Sequence, residues 1–191
     1  MKKFTLKAIC CFISIIMCTT ILGCGKSKDT ATNTKKEVKE NVEETKVVKS
    51  KDNLCQITVP KSYTTENLQN PQATIQLADK LKEKCVLAIS ESKKDFASSF
   101  TLDKYFNLLT TEMKKSVKNS KVTNAKDIKI NGNKSKQYEF SGEIGEIKIK
   151  YNIALIEGKK GFYQITTWTS QSKFDKSKAE LDKIINSFKE L

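Results

Sequence analysis

The side chains able to do chemistry in this chain are few in type. The sequence has no histidine, all 35 basic residues are lysine, and there are six cysteines. Nucleophilic triads that use histidine as the base are therefore excluded, and zinc sites, which favour cysteine and histidine, are not expected. Lysine can act as a base, but nothing marks any one of the 24 lysines between residues 53 and 191. We predict no catalytic residue, no metal site and no cofactor.

Two residue pairs are candidates for a functional site, although their patterns are less specific than a catalytic or metal-binding motif. Glu143 and Glu146 flank a glycine-containing turn and are candidates for holding a hard cation, but their spacing does not match an EF-hand loop. We interpret them as part of an exposed turn. Phe162 and Trp168 share one face of a predicted strand, so they are candidates for lining a ligand cleft, although packing beneath a helix is the interpretation we favour.

The first 24 residues have the pattern of an export signal. Three lysines lie within the first seven residues, and an apolar stretch of about 15 residues follows, which is short of the roughly 20 that a spanning helix needs. The stretch ends in Ile21-Leu22-Gly23-Cys24, which resembles the bacterial lipobox except at Leu22, where a smaller residue is commoner. The resemblance implies that Cys24 receives a diacylglycerol and becomes the first residue after cleavage. The alternatives are an uncleaved membrane helix and a plain secretory signal.

Lipidation at Cys24 would place the protein at the cell membrane, on its extracytoplasmic face. Two or three acyl chains hold a protein firmly, since each buried CH2 adds about 0.8 kcal/mol. Three other cysteines leave with the signal, so only Cys55 and Cys85 remain. An exported pair can form a disulfide, provided that the Cα atoms lie within roughly 4.4–6.8 Å. Both cysteines lie on the apolar side of short predicted strands, so we expect both to be buried, either as a disulfide or as two packed thiols.

The net charge narrows the choice of partners. The formal charge is +13, and loss of the three signal lysines leaves +10. Lysine is poorer than arginine at bidentate phosphate recognition, and the protein is predicted to be exported, so we expect no nucleic acid. The expected partners are membrane lipid, through acylated Cys24, and an envelope protein or an anionic wall polymer. Lys148 and Lys150 are the best candidates for binding, if no helix covers their face of the sheet.

Composition divides the chain into three parts. Residues 1–23 are the signal peptide, residues 24–52 hold the lipidated cysteine and a charged linker, and residues 53–191 form the domain. The linker has eight lysines, six acidic residues and no aromatic residue, a composition typical of disorder. A coil of its 28 residues after Cys24 has a root-mean-square reach of roughly 30 Å.

Hydrophobic periodicity predicts an α+β domain. Alternation predicts strands near 55–59, 73–77, 85–90, 147–155 and 162–168, and Asn131-Gly132 predicts a hairpin between two more. Spacings of three and four predict a helix over 101–117, with Thr101 as N-cap, and another over 173–189, with Ser172 and Asp175 in a capping box. Hairpin-linked strands with segregated helices favour an antiparallel sheet covered by helices.

Several segments resemble the PsbP-like family. They are Ile57-Thr58-Val59-Pro60-Lys61-Ser62-Tyr63 at the start of the domain, and Tyr163-Gln164-Ile165-Thr166, Phe174 and Ile184-Ile185-Asn186-Ser187-Phe188 at its end. The resemblance spans residues 53–191 and implies an α/β/α sandwich like that of photosystem accessory proteins and DcrB-type envelope proteins. That family is mostly non-enzymatic and has no shared catalytic motif.

These observations lead to one functional hypothesis and one alternative. We expect a membrane-anchored extracytoplasmic lipoprotein, not an enzyme, whose domain is a binding or accessory module of the cell envelope. The alternative is an envelope hydrolase that uses carboxylate or lysine chemistry without histidine.

The predicted lipid anchor can be tested directly. Mass spectrometry of the membrane-extracted protein should find a diacylglycerol-bearing peptide that begins at Cys24, and Cys24→Ser should release or mislocalise the protein. A mature terminus at any other residue would contradict the prediction.

Overall fold

The computed structural model describes residues 43–191. The predicted signal peptide, Cys24 and residues 25–42 of the predicted linker lie outside this range. Within it the chain forms eleven strands, two α-helices and one short 3-10 turn, Lys93–Asp95. The strands are β1 (Thr45–Lys49), β2 (Cys55–Pro60), β3 (Thr64–Thr65), β4 (Ile75–Asp79), β5 (Lys84–Ser92), β6 (Lys118–Val122), β7 (Lys126–Ile130), β8 (Asn133–Ile144), β9 (Ile147–Glu157), β10 (Gly161–Ser170) and β11 (Lys189–Glu190). The helices are α1 (Leu102–Ser116) and α2 (Gln171–Asn186).

The strands form two antiparallel sheets. The larger has eight strands in the order β3-β4-β5-β10-β9-β8, with β6 and β7 both pairing with β8 at its far edge. The smaller has the order β1-β2-β11. The α+β class, with a large antiparallel sheet and two helices, is therefore confirmed.

Side-chain alternation gives the large sheet two buried faces. Along β9, Ile149, Tyr151, Ile153 and Leu155 pack with α1 in one core, and we call this side the α1 face. Ala154 and Ile156 pack in a second core with α2 and β2, on the side we call the α2 face. Because both faces are covered, the central strand β10 is buried at every residue from Gly161 to Thr169.

Helix α1 forms where its apolar stripe predicts it. Leu102, Tyr105, Leu109 and Met113 are buried at spacings of three and four. The Thr101 hydroxyl accepts a hydrogen bond from the Lys104 N–H at 3.3 Å, which confirms the predicted N-cap.

Helix α2 begins two residues earlier than predicted. Its N-cap is Ser170, which makes no side-chain capping bond. The predicted capping box of Ser172 and Asp175 is wrong because both residues already lie inside the helix. No helix within residues 43–191 has the length and apolar character needed to cross a membrane.

The Asn131-Gly132 hairpin is confirmed. Both residues have positive φ, 47° and 83°, as a two-residue type I′ turn requires, and glycine adopts this conformation without steric cost. The following strand, β8, continues to Ile144, and the chain reverses at Gly145 and Glu146, between Glu143 and the start of β9.

The predicted domain boundary at residue 53 is wrong. Strand β1 pairs with β2 over five residues from Thr45 to Lys49, so the folded unit includes at least the eight residues 45–52 that were assigned to the linker. Val48 packs against the α2-face core, whereas Val47 is 56 % exposed. A strand with so little apolar burial is held largely by main-chain hydrogen bonds, which leave no hydrophobic pattern in the sequence.

The two cysteines lie on opposite faces of the large sheet. Cys55 is buried in the α2-face core, with its sulfur 3.8 Å from the Ser90 hydroxyl. Cys85 is half-buried rather than buried and packs against the α1-face core. The two side chains therefore pack in different cores, and the structure does not bring Cys55 and Cys85 together as a pair.

A part-buried polar contact joins helix α2 to the large sheet. A carboxylate oxygen of Asp182 accepts hydrogen bonds from the Asn152 and Gln137 amides at 2.7 and 2.9 Å, and the other oxygen accepts from Lys178 at 2.9 Å. Asn152 is fully buried. If the Asp182 carboxylate were removed, the Asn152 amide would lose a hydrogen bond that water could not replace.

This contact predicts a measurable loss of stability. Asp182→Ala should lower the free energy of unfolding by about 1 to 3 kcal/mol, because it leaves buried amide donors unpaired. Urea unfolding followed by the fluorescence of Trp168, the single tryptophan, measures the change. Lys176→Ala, at an exposed position of the same helix, is the control and should change stability by no more than about 0.5 kcal/mol. Equal stability of the two variants would contradict the assignment.

Candidate functional site

Because the strands are antiparallel, successive turns lie at alternate ends of the domain. One end, which we call the entry end, carries the first described residues together with the turns at residues 60–63, 79–84 and 143–148 and the start of α2. The other, the groove end, carries residues 49–53, 93–95, 129–134, 157–160 and 189–191. Strand β9 runs between the two ends, and its 11 residues at about 3.3 Å each separate them by about 36 Å.

The two ends differ in charge. At the entry end, segments 43–46, 60–63, 79–84, 143–148 and 170–175 carry seven lysines and seven acidic residues. Several of these are paired, including Lys61 with Glu44 at 2.7 Å and Lys173 with Glu83 at 2.8 Å. The five segments of the groove end carry nine lysines and four acidic residues. Excess positive charge is thus concentrated away from the point where the described chain begins.

Most lysines at the groove end have no acidic partner. Lys93 pairs with Glu157 at 3.1 Å. The other eight make no ion pair with any residue in 43–191; they are Lys49, Lys51, Lys94, Lys129, Lys134, Lys159, Lys160 and Lys189. All eight are exposed. The Lys160 ammonium donates a hydrogen bond to the Leu191 carbonyl oxygen, and the charges of the other seven are available to a ligand.

A shallow groove of about 610 Å³ opens among these lysines. Its walls are the β7–β8 turn with Asn131 and Asn133, the β9–β10 turn with Lys159 and Lys160, and residues 187–191, with Gln56 at the base. Three lysines line it, Lys189 being the third, against one carboxylate, that of Glu190. The groove therefore favours an anionic ligand.

Glu190 fixes one wall of the groove. Its carboxylate accepts hydrogen bonds from the Lys159 and Lys160 N–H groups at 2.8 and 2.7 Å and from the Tyr163 hydroxyl at 2.9 Å. Gly158 permits this approach, since a Cβ there would lie 2.4 Å from a Glu190 oxygen. Partial burial raises the pKa of Glu190, but the N–H donors of Lys160 and Lys159 and the tyrosine hydroxyl outweigh it and hold the pKa below its ordinary value.

Side-chain hydrogen bonds fix the opposite wall and the base. The Asn131 amide donates to the carbonyl oxygens of Phe188 and Asn186, which ties the β7–β8 turn to the end of α2. The Ser187 hydroxyl accepts from the Thr58 N–H at 2.7 Å and donates to the Ile184 carbonyl at 2.6 Å. The groove is therefore held by directed bonds on all sides.

The sequence-predicted binding lysines do not lie in the groove. Lys148 is exposed beside the β8–β9 turn, at the entry end. Lys150 is half-buried: its ammonium lies 2.9 Å from Glu139, 3.7 Å from Asp175 and 4.4 Å from the Phe174 ring centroid. Helix α2 covers this face of the sheet, so the condition set for Lys150 fails and its charge serves the helix contact.

The other candidates named from the sequence, two glutamates and two aromatic residues, do not line the groove either. Glu143 accepts a hydrogen bond from the Asn119 amide at 2.8 Å, and Glu146 is exposed in the β8–β9 turn. No set of acidic or cysteine side chains within residues 43–191 could hold a metal ion. Phe162 and Trp168 are buried on the α1 face, as the packing interpretation predicted.

Among residues 43–191, Glu91 is the carboxyl group whose pKa is raised. Burial raises the pKa of Glu91, although the Tyr105 hydroxyl donates a hydrogen bond to it and opposes the shift. Glu91 is the cross-strand partner of Phe162, whose ring packs with those of Phe96 and Phe100 at centroid distances of 5.3 and 5.2 Å. This group is the carboxyl best suited to act as an acid, but it lies outside the groove.

A family model matches residues 43–190 and is described as PsbP. The chain belongs to the PsbP family. The match begins close to β1, in agreement with the earlier domain start seen in the structure. No curated protein sequence matches the chain significantly.

Solved structures with the same fold share little sequence with this PsbP-family chain. CyanoP from Synechocystis sp. PCC 6803 is 12 % identical with a TM-score of 0.57, over 82 % of this chain and 98 % of its own. LpqN of Mycobacterium tuberculosis, described as involved in cell envelope biogenesis, is 11 % identical with a TM-score of 0.52, over 80 % and 94 %. A protein from Bacteroides thetaiotaomicron is 8 % identical with a TM-score of 0.55, over 76 % and 48 %. At such identities the similarity shows the fold alone.

The Glu190 contact predicts a pH-dependent stability difference. Because its pKa is lower in the folded state, ionised Glu190 stabilises the fold above its unfolded pKa of about 4.3, and this contribution disappears as the pH falls through the folded pKa. Glu190→Gln should therefore lower the unfolding free energy at pH 7 by about 1 to 2 kcal/mol, and the difference should shrink in acid. Glu146→Gln, exposed at the entry end, is the control. A difference that does not vary with pH would contradict this account.

Proposed function

We propose that this PsbP-family protein is a lipoprotein anchored at the extracytoplasmic face of the cell membrane. In this proposal its domain is a non-catalytic module that binds an anionic component of the cell envelope at the groove end. The observation that carries the binding role is the set of unpaired lysines around the groove, at the end of the domain opposite Glu43.

The membrane anchor is supported by the sequence, and a place in the cell envelope is in keeping with the description of a protein of the same fold. The basic start, the apolar stretch and Cys24 are those of a lipoprotein signal. LpqN, which shares the fold, is described as involved in cell envelope biogenesis. Eighteen residues separate Cys24 from Glu43, and Glu43 lies at the entry end, opposite the groove. The groove end would therefore face away from the membrane.

The charges favour binding over catalysis at the groove. Glu190, the carboxylate in the groove, accepts three hydrogen bonds and has a lowered pKa, whereas a general acid needs a raised one. The hydrolase alternative is best served by Glu91, whose pKa is raised. Robust hydrolysis of an envelope substrate that is lost in Glu91→Gln would favour that alternative.

The binding role predicts charge-dependent retention by the envelope. Full-length Cys24→Ser protein, which lacks the predicted anchor, should cosediment with isolated cell envelopes. Replacing Lys159, Lys160 and Lys189 with Gln should weaken this binding by about a hundredfold, since each lysine near an anionic surface contributes about 1 kcal/mol. Added salt should weaken it too, because the Debye length shortens from about 10 Å at 0.1 M.

The control for this experiment removes exposed lysines elsewhere. Lys148→Gln with Lys176→Gln removes two exposed charges remote from the groove and should leave retention unchanged. Retention that depends on Lys148 and not on the groove lysines would transfer the binding role to the entry end. Retention unaffected by either variant would overturn the proposed role of charge.

A further inference from the structure

The positive charges at the groove end are spread over separate segments rather than gathered at one point. The eight unpaired lysines lie in five stretches of chain: 49–51, 94, 129–134, 159–160 and 189. A single small anion reaches only the few lysines nearest to it. A chain that carries many negative charges contacts lysines from several segments at once, and the release of its counterions favours binding.

Two of these lysines repel each other in the unliganded domain. Lys129 on β7 and Lys134 on β8 are direct cross-strand partners. The Cβ atoms of such partners are about 4.5–5.5 Å apart, and like charges at this separation are destabilising. An anion beside the pair removes this repulsion. The pair adjoins Asn131 and Asn133 of the groove wall.

The residue types suit phosphate. Lysine is a compact point charge that binds phosphate oxygens without the bidentate geometry that arginine offers to phosphate and carboxylate alike. Every basic residue of the chain is lysine, so a ligand at the groove end is held by charge rather than by bidentate hydrogen bonds. The groove is also open and shallow, which allows a linear chain to lie across it and continue beyond both ends.

The position of the groove argues against the lipid headgroups of the protein's own membrane. The groove end lies about 36 Å from the entry end along β9. The described chain begins at Glu43, at the entry end, so an anchor at Cys24 joins the domain at the end opposite the groove.

We propose that the groove end binds a linear polymer of phosphodiesters on the side of the envelope away from the membrane. This inference rests on the proposed function and names the class of ligand. The polymer lies across the groove, with its phosphates beside Lys159 and Lys189, and continues past Lys129 and Lys134.

The direct test measures binding of labelled poly(glycerol phosphate) by full-length Cys24→Ser protein. The fluorescence anisotropy of the labelled polymer should rise when it binds the protein. Unlabelled glycerol phosphate monomer should displace the polymer only weakly at equal phosphate concentration. Replacing Lys129, Lys134, Lys159 and Lys189 with Gln should reduce affinity by at least about tenfold and flatten its salt dependence. The control removes four lysines remote from the groove, Lys46, Lys114, Lys148 and Lys176, and should retain the affinity.

Two further ligands decide the chemical class. Polyglutamate of similar length should bind more weakly than the phosphate polymer, and equal affinity would overturn the choice of phosphate. Vesicles of phosphatidylglycerol should bind the anchorless protein more weakly than the polymer does, and tighter binding would assign the surface to lipid. Equal competition by the monomer would replace the polymer with a single-phosphate ligand.

The test of the ligand class and the test of the proposed function can fail independently of each other. If envelope retention depends on the groove lysines but poly(glycerol phosphate) does not bind, the ligand class is wrong and the binding role stands. If the polymer binds but retention in envelopes is unaffected by the groove variant, the proposed function fails although the site takes phosphate.

Discussion

Strand β10 is covered on both faces, and this constraint decides where the other elements lie. Its α1 face buries Phe162 and Trp168, and its α2 face buries Tyr163 and Ile165. No single helix can cover both faces. Helix α1 therefore packs on one side, while α2 and the three-stranded sheet share the other. Residues 187–191 must then cross the groove end, since α2 ends there and β11 pairs with β2.

Much of this fold follows from local patterns in the sequence. The stripe of α1, the Thr101 cap, the Asn131-Gly132 turn and the alternation along β9 each depend on neighbours within one element. The missed elements depend on distant partners. Strand β1 has a polar, charged sequence and is held by its pairing with β2, and the two residues of β11 are too short to show a period. Cys55 on β2 and Cys85 on β5 both follow an apolar alternation that predicts burial. The sequence does not reveal that β2 and β5 belong to different sheets, so it does not show whether the two cysteines meet.

The groove could be predicted only in part. Asn131-Gly132 and Gly158–Lys160 are recognisable as turns, and alternation in a meander places both at one end of the sheet. Sequence does not show that Glu190 folds back onto the second turn, because that contact joins residues about thirty positions apart. Nor does it show which lysines are paired. Lys150 and Lys148 look alike in the sequence, yet Lys150 pairs with Glu139 of β8 beneath α2, whereas Lys148 is exposed.

The direction of β1 has a mechanical consequence. The described chain begins at the entry end and proceeds directly into β1, which runs toward the groove end beside β2. A load applied between Glu43 and a ligand in the groove would therefore act along the strand axes. The main-chain bonds between β1 and β2 would be sheared together rather than opened one after another, so all of them would resist the load at once. An edge strand with little apolar burial can in this way serve as a firm attachment for the rest of the domain.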